Sequence, residues 1–242
     1  MTRMGSDANP AQWHMARRAV PGQMYDCGEA GVGALVKVCK YVAVRGVLRT
    51  SSNEASFVSA DFSENVHHGL VIRVMERRDI EEARKLHNDD QTLLHLTDVF
   101  HVSEAEQERW YDNLLLSRTS KRYSILEADS GKFVGLFRLD SIDLQNRSAW
   151  VGLDIARPFR GRGYAKIVYD YFFDYLFRQM GLNRLALVTL ETNTVAVSLY
   201  ESLGFRQEGR PRQAIWRGGK YIDLLQYSLL REEYEARPPV LG

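Results

Sequence analysis

The chain has 242 residues, 45% hydrophobic and 26% charged, the profile of a globular protein with one domain plus an extension, or two small domains. Lys and Arg total 32 against 31 Asp and Glu, and a formal net charge of +1 gives no global pull toward nucleic acid or anionic membrane. No basic recognition helix is apparent either, so neither a nucleic-acid nor a membrane partner is expected. The most apolar stretch, residues 30–48, contains Lys37, Lys40 and Arg45. Each cation costs about 2.5–3.5 kcal/mol near a bilayer centre, which argues against a span. Residues 1–20 are polar and broken by Pro10, Trp13, Arg17 and Arg18, unlike a secretory signal. The two cysteines, Cys27 and Cys39, have no histidine at ligand spacing. They read as reduced thiols of a cytoplasmic protein, and no metal site is expected.

Residues 1–69 are rich in Gly and Ser and show little periodicity, with short strands expected at 36–38 and 41–44. They are either an appendage that touches substrate or an extension that is disordered or loosely docked, and the second is expected. A periodic domain follows over residues 70–235, and residues 236–242 form a tail. Residues 70–75 alternate as a strand. Residues 79–88 place Ile80, Ala83 and Leu86 on one helical face. Ser103 and Glu106 form a capping box that opens a helix through Trp110, Leu114 and Leu115. Strands are expected at 123–128 and 133–139, joined by a turn at Asp129-Ser130-Gly131, and again at 149–155 after a turn at Asn146-Arg147.

A long helix is expected over 163–180, with Ile167, Val168, Tyr171, Phe172, Tyr175 and Leu176 inward and Gly181 ending it. Residues 184–190 read as a buried strand. Asn193 can cap a shorter helix that turns Ala196, Leu199 and Leu203 to one face and stops at Gly204. Strands at 205–207 and 221–229 close the domain, separated by a turn over 217–220. The sum is a mixed α/β domain with helices on a central sheet.

The chemistry concentrates at Arg160-Gly161-Arg162-Gly163-Tyr164-Ala165, where a strand passes into the long helix. Glycines let backbone approach a ligand, the first helical N–H groups are free, and a helix start carries about half a positive charge. Arg157, Arg160, Arg162 and Lys166 add to it. Such a turn suits a pyrophosphate. It lacks the third glycine of a dinucleotide fingerprint and the Gly-Lys-Ser/Thr of a nucleotide-binding P-loop.

This turn resembles the cofactor loop of the GNAT acetyltransferases, Arg/Gln-x-x-Gly-x-Gly/Ala, with Arg160, Gly163 and Ala165 in register. Asn193, Ala196, Tyr200, Gly204 and Phe205 are similar to that family's Asn-x-x-Ala-x-x-x-Tyr-x-x-x-Gly-Phe segment. The resemblance covers residues 70–235. Glu208-Gly209-Arg210 with 219–223 is most similar to the branch acting on ribosomal-protein N-termini, polyamines and amino sugars. It implies a mostly antiparallel sheet flanked by helices, and acetyl-CoA as co-substrate with an amine acceptor and no metal. It also implies a splay between strand 151–155 and the strand beginning near Leu185. Pantetheine would pair with the exposed backbone of the splay, and an N–H among Leu153, Asp154 and Ile155 would hold the thioester oxygen. The turn from Arg160 through Gly161, Arg162, Gly163 and Tyr164 to Ala165 would hold the pyrophosphate, with Asn193 and Ala196 also at the cofactor.

Tyr200 would donate the proton to the departing thiolate, since a phenol with pKa near 10 is neutral at pH 7. By position alone it reads equally as a core tyrosine beside Leu199 and Leu203, and Asn193 as a plain helix cap. Where relatives carry a glutamate in a stretch like Ala-Glu-Ile-Gly, this chain has Ala149-Trp150-Val151-Gly152. Asp154 and Glu191, at sheet ends, are the substitute bases, ahead of His87, His95 and His101. Trp150 also keeps open a non-catalytic acyl-CoA-binding module. The acceptor is expected to be a small polar amine such as an amino sugar. Residues 110–114 and 123–127 resemble the nucleotide-amino-sugar enzymes, Trp110, Tyr111 and Trp150 could stack on a ring, and Arg206, Arg210, Arg212 and Arg217 could hold a diphosphate. An N-terminal acetyltransferase of the ribosomal-protein type is the alternative. A monomer or homodimer is expected.

Overall fold

The computed structural model describes residues 65–237, so the strands expected at 36–38 and 41–44 and both cysteines lie outside the described residues. Strand β1 (Asn65–His67) turns back onto β2 (Leu70–Val74) through His68 and Gly69, at φ 47° and 79°. A two-residue hairpin of this hand needs left-handed backbone at both positions, which glycine adopts freely. Among the described residues the sheet thus includes Asn65–His67, ahead of the boundary expected at residue 70.

Helix α1 (Ile80–Asn88) buries Ile80, Ala83 and Leu86, as its spacing predicts. A single turn, α2 (Asp90–Leu93), follows, its Asp89 cap accepting the Thr92 N–H; four residues are too few to show periodicity in the sequence. Helix α3 (Glu104–Leu116) opens on the expected box, Ser103 accepting from the Glu106 N–H and Glu106 from the Ser103 N–H. Beneath α1 the Arg73 and Asp79 side chains form a buried pair at 2.7 Å, and Asp79 also accepts from the Glu76 N–H and the Ser124 hydroxyl.

Strands β3 (Lys121–Glu127), β4 (Phe133–Asp143) and β5 (Ser148–Ile155) continue the antiparallel sheet from β2. Gly135 lets β4 close on β5, for a Cβ there would lie 2.2 Å from the Asp154 carbonyl oxygen.

The long helix is α-helical only over α4 (Tyr164–Phe173) and widens into a π-helical segment over Asp174–Gln179, ending at Gly181 with φ 67°. Two adjacent stripes are inward along its length, Tyr169, Phe173 and Phe177 being buried alongside Val168, Phe172 and Leu176. Parallel strand β6 (Arg184–Leu190) and α5 (Thr194–Ser202) come next. Then follow β7 (Arg206–Gly209), β8 (Ile215–Arg217), β9 (Lys220–Ile222), β10 (Leu224–Leu230) and α6 (Arg231–Glu235). The single strand expected at 221–229 is thus two. Asp223 interrupts it, its carboxylate taking the Gln213 N–H and the Arg210 guanidinium.

Eight strands form one sheet in the order β1-β2-β3-β4-β5-β6-β10-β7, antiparallel except for β5 beside β6, while β8 and β9 pair as a separate hairpin. Helices α1 and α3 cover one face over Met75, Tyr111 and Leu136. Helix α4 covers the other, where Phe172 stacks on Phe137 at 3.6 Å. This is the mixed, mostly antiparallel α/β architecture that the sequence predicts.

Candidate active site

The site begins where the parallel pair of the sheet, single among the described residues, gives way. Strands β5 and β6 pair at Ser148–Arg184, Ala149–Leu185 and Trp150–Ala186, and no further. Beyond Trp150, β5 stays hydrogen-bonded to β4 as far as Ile155, and β6 to β10 as far as Leu190. Each strand thus turns a free edge of N–H and C=O groups toward the other. A chain with alternating amides can complete such edges as a strand would.

The splay opens into a cavity of about 480 Å³. It is lined by Leu153, Asp154, Ile155, Arg160, Gly161, Gly163, Tyr164, Ala165, Asn193, Ala196 and Tyr200. These residues come from the end of β5, the turn into α4 and, some thirty residues on, α5 with its cap. At its far end Gly161 and Gly163 lie at φ 75° and 78°, with open space where a side chain would stand. Among the described residues no acceptor takes the amides from Gly161 to Ala165, so the start of α4 presents a run of free donors. Asn193 accepts the Ala196 N–H at 3.2 Å, so its capping role is present at the cavity wall.

Arg160 and Arg162 lie differently from the expectation that both side chains serve a phosphate. Arg160 donates to the Ile155 carbonyl (2.9 Å) and the Thr92 hydroxyl (2.8 Å), tying the turn to β5 and α2. Arg162 leans outside the lining, over the Phe159 ring and 3.5 Å from Glu127. Lys166 is the cation that lines the cavity at the start of α4.

Tyr200 is 8% exposed, its ring packed edgewise on Tyr169 and Phe205. Burial raises its pKa and Asp154 adds to the rise, against the Tyr169 hydroxyl and Arg138. The phenol is therefore protonated at neutral pH. Asp154 lies in the same cavity, with Arg138 Nε 3.3 Å from its Oδ2. Glu191 does not line it. Its carboxylate binds Arg210 at 2.5 Å and the Asp223 N–H at 3.2 Å, which pins the turn after β6 to the bend before β10. That network withdraws Glu191 from the constellation.

The arginines expected to hold a diphosphate are dispersed as well. Arg206 pairs with Glu233, Arg210 with Glu191 and Asp223, and Arg217 donates to the Leu96 carbonyl; none lines the cavity. Of the three aromatic residues expected to stack on the acceptor, Trp150 lines it. Tyr111 is buried with its hydroxyl on the Met75 carbonyl, and Trp110 packs beside it under Arg122.

Several lining residues carry no motif in the sequence: Thr92, His95, Leu96 and Thr97 after α1, and Arg138 and Asp140 on β4. His95 has its pKa lowered by burial and then by Arg160, which keeps the imidazole neutral. Only the pairing of β4 with β5 brings Arg138 opposite Gly152 and Asp140 opposite Trp150. A larger depression of about 840 Å³, between α1, the β3–β4 turn and Arg157–Phe159, contains Arg157 but none of the residues expected to be catalytic. Among the described residues no group of three or more His, Cys, Asp or Glu converges on a metal position, and no helix is long and apolar enough to cross a membrane.

Residues 72–225 match the family model described as the acetyltransferase (GNAT) domain. An uncharacterized N-acetyltransferase, p20, of Bacillus licheniformis is 29% identical over 168 residues, 68% of this chain and 94% of its own length. The spermidine N(1)-acetyltransferase of Vibrio cholerae is 27% identical over 165 residues, 68% of this chain and 95% of its own. The crystal structure of the spermidine N-acetyltransferase from Vibrio cholerae with CoA and spermine superposes with a TM-score of 0.65 at 27% identity. It covers 69% of this chain and 98% of that one.

Proposed function

The chain belongs to the GNAT acetyltransferases, and from that premise we propose how its cavity moves an acetyl group and what kind of amine receives it. The protein is an acetyl-CoA-dependent N-acetyltransferase. In the proposed arrangement the free edge of β5 pairs with pantetheine, and a backbone N–H among Leu153, Asp154 and Ile155 faces the thioester oxygen. The amides from Gly161 to Ala165, with Lys166, hold the pyrophosphate. The observation that carries this reading is one cavity joining the unpaired β5–β6 edges, the open amides of α4, Asp154 and the protonated Tyr200.

An amine arrives protonated and must lose a proton before its lone pair can attack. Asp154 takes that proton, directly or through water. As nitrogen bonds to the acyl carbon and the carbon–sulfur bond breaks, Tyr200 gives its proton to the sulfur. The second proton leaving the nitrogen restores the phenol. The acceptor is a small polar amine, such as an amino sugar, with Trp150 as the aromatic wall of its subsite. The assembly is a monomer or homodimer, a choice that sedimentation equilibrium decides.

The test is acetyl-CoA with equal amounts of a 4-amino nucleotide sugar, spermidine and an Ala- or Ser-starting peptide, read by product mass. Preferential acetylation of the peptide would replace the small-amine reading with N-terminal acetylation. Binding of acetyl-CoA without any product would refute the assignments of Asp154 and Tyr200.

A further inference from the structure

We propose that Arg138 is the anion receptor of the acceptor subsite, so that the amine this enzyme acetylates carries a carboxylate or phosphate close to its nitrogen and is not a polyamine. The proposal rests on the acetyltransferase reading above and narrows its acceptor.

The charges lining the cavity decide the matter. Its carboxylates are Asp140 and Asp154, and its cations, besides the neutral His95, are Arg138, Arg160 and Lys166. Asp140 is held by Arg122 at 2.8 Å, and Asp154 lies 3.3 Å from Arg138. A polyamine brings several positive nitrogens and needs carboxylates to receive them; here each carboxylate already faces an arginine. The cavity wall therefore disfavours a polycation through like charge and offers it no free counter-charge.

Arg138 is placed the other way. Arg160 turns its Nε and one terminal nitrogen to Ile155 and Thr92, at the phosphate turn where Lys166 also sits. The Arg138 Nε lies 3.3 Å from Asp154 and is buried without a hydrogen-bond partner, and no hydrogen bond from its terminal nitrogens is found among the described residues. The side chain is 37% exposed and lines the cavity. Its guanidinium lies against Gly152, where a Cβ would come within 2.7 Å of Nη2. Glycine on β5 thus leaves the room that the guanidinium occupies. Trp150 and Asp154 flank Gly152 on the same face of the strand, by the two-residue alternation of side chains.

A planar guanidinium with two free N–H groups matches a carboxylate or phosphate in bidentate fashion. The same side chain touches Asp154, the group assigned to take the amine proton. The receptor thus lies beside the base, 3.3 Å away, which sets the acceptor's anion and amine only a few atoms apart.

The experiment uses the full chain, wild type, Arg138→Gln and Arg138→Lys, with acetyl-CoA. Its acceptors are an α-amino acid, the matching α-amino amide, phosphoethanolamine, the 4-amino nucleotide sugar and spermidine. The acid or a phosphate-bearing amine is expected to exceed the neutral amide and spermidine in kcat/KM, and the leading arm identifies the anion. Arg138→Gln is expected to reduce the anionic-to-neutral ratio of kcat/KM by about 10²-fold, the scale on which a site loses discrimination when a charge-assisted contact goes. Arg138→Lys, which keeps the charge without the fork, should recover part of it. Retention of the acetyl-CoA-induced thermal shift certifies the fold of the variants. Should Arg138→Gln lose that shift, the wild-type ranking of acid against amide decides alone. Spermidine or the neutral amide ranking first, or an unchanged ratio in a folded Arg138→Gln, would overturn the proposal and leave the transferase intact. No product from any amine would overturn the proposed mechanism, and this proposal with it.

Discussion

Replacing Tyr200 with Phe separates chemistry from packing at this site. The ring lies 6.1 Å from Tyr169, 5.9 Å from Phe205 and 6.2 Å from Tyr227, centroid to centroid, and Phe keeps every one of these contacts. Only the hydroxyl is lost, so stability should change by no more than about 1 kcal/mol, the net worth of one hydrogen bond. A positioned general acid contributes about 10²–10⁴ in rate, and 10²-fold corresponds to about 2.7 kcal/mol of barrier. The assay is release of the CoA thiol at saturating acetyl-CoA, with the dissociation constant of acetyl-CoA measured beside it. The expected result is a kcat at least about 10²-fold lower with cofactor affinity little changed. The pH profile adds a second constraint. Burial raises the Tyr200 pKa, so its acid form persists until the pH passes above the raised value. Loss of this donor should therefore not lower kcat anywhere between about pH 6 and 9, below the ordinary tyrosine value. Near-normal turnover in a folded Tyr200→Phe would return the residue to the core and refute the assignment.

Four further outcomes follow from the geometry. Acetyl-CoA at about a hundredfold excess over its dissociation constant should stabilise the wild type by about 2.7 kcal/mol, and Gly163→Glu should abolish the shift by placing bulk and negative charge at the open amides. An undiminished shift would move the phosphate site elsewhere. Asp79→Ala should cost about 3–5 kcal/mol in denaturant unfolding, because it removes the carboxylate that faces the buried Arg73 at 2.7 Å. Burial alone would raise the Asp79 pKa, but hydrogen bonds from Arg73, the Glu76 N–H and Ser124 outweigh it and lower it. Its contribution is thus complete above the unfolded value of about 3.9 and lost as pH falls through the lower folded value, which an acid titration of stability in wild type and mutant resolves. Gly135→Ala drives a methyl to 2.2 Å from the Asp154 carbonyl oxygen and should cost at least the 1–3 kcal/mol typical of overpacking, roughly, in the same unfolding measurement. Finally, we propose that a chain beginning just before Asn65 folds cooperatively and binds acetyl-CoA without residues 1–64. Aggregation of that chain beside a soluble full-length protein would make the N-terminal residues part of the fold.

What the sequence reveals follows from the range of the interactions involved. Local signals hold: the Ser103–Glu106 box, Asn193 as cap, Gly181 and Gly204 as helix ends, and β6 over Arg184–Leu190 all form where spacing and capping chemistry place them. The glycine turn is legible because the need for positive φ selects a residue type. The burial of Tyr169, Phe173 and Phe177 escapes a periodicity reading, since they are as apolar as the expected stripe and nothing local says both stripes are covered. The β1–β2 hairpin escapes because His68-Gly69 is a weak form of the Asn-Gly signal. At the site, residues on one continuous motif are found, while those that arrive by strand pairing are not. Arg138 meets Gly152 only through the β4–β5 register, and Glu191 looks catalytic until the sheet delivers Arg210 and Asp223 to it. Charge pairing across strands is a tertiary fact, and a single sequence does not carry it.

The central claim, that this cavity passes an acetyl group from acetyl-CoA to an amine using Tyr200 and Asp154, is tested most directly by product mass. Acetyl-CoA labelled in the acetyl group is incubated with the full chain and the mixed amine panel, beside a Tyr200→Phe, Asp154→Asn double variant. The expected result is label on one class of amine, CoA released in equal amount, and loss of both in a double variant that still binds acetyl-CoA. Equal labelling by wild type and double variant, or CoA released without any labelled amine, would contradict it.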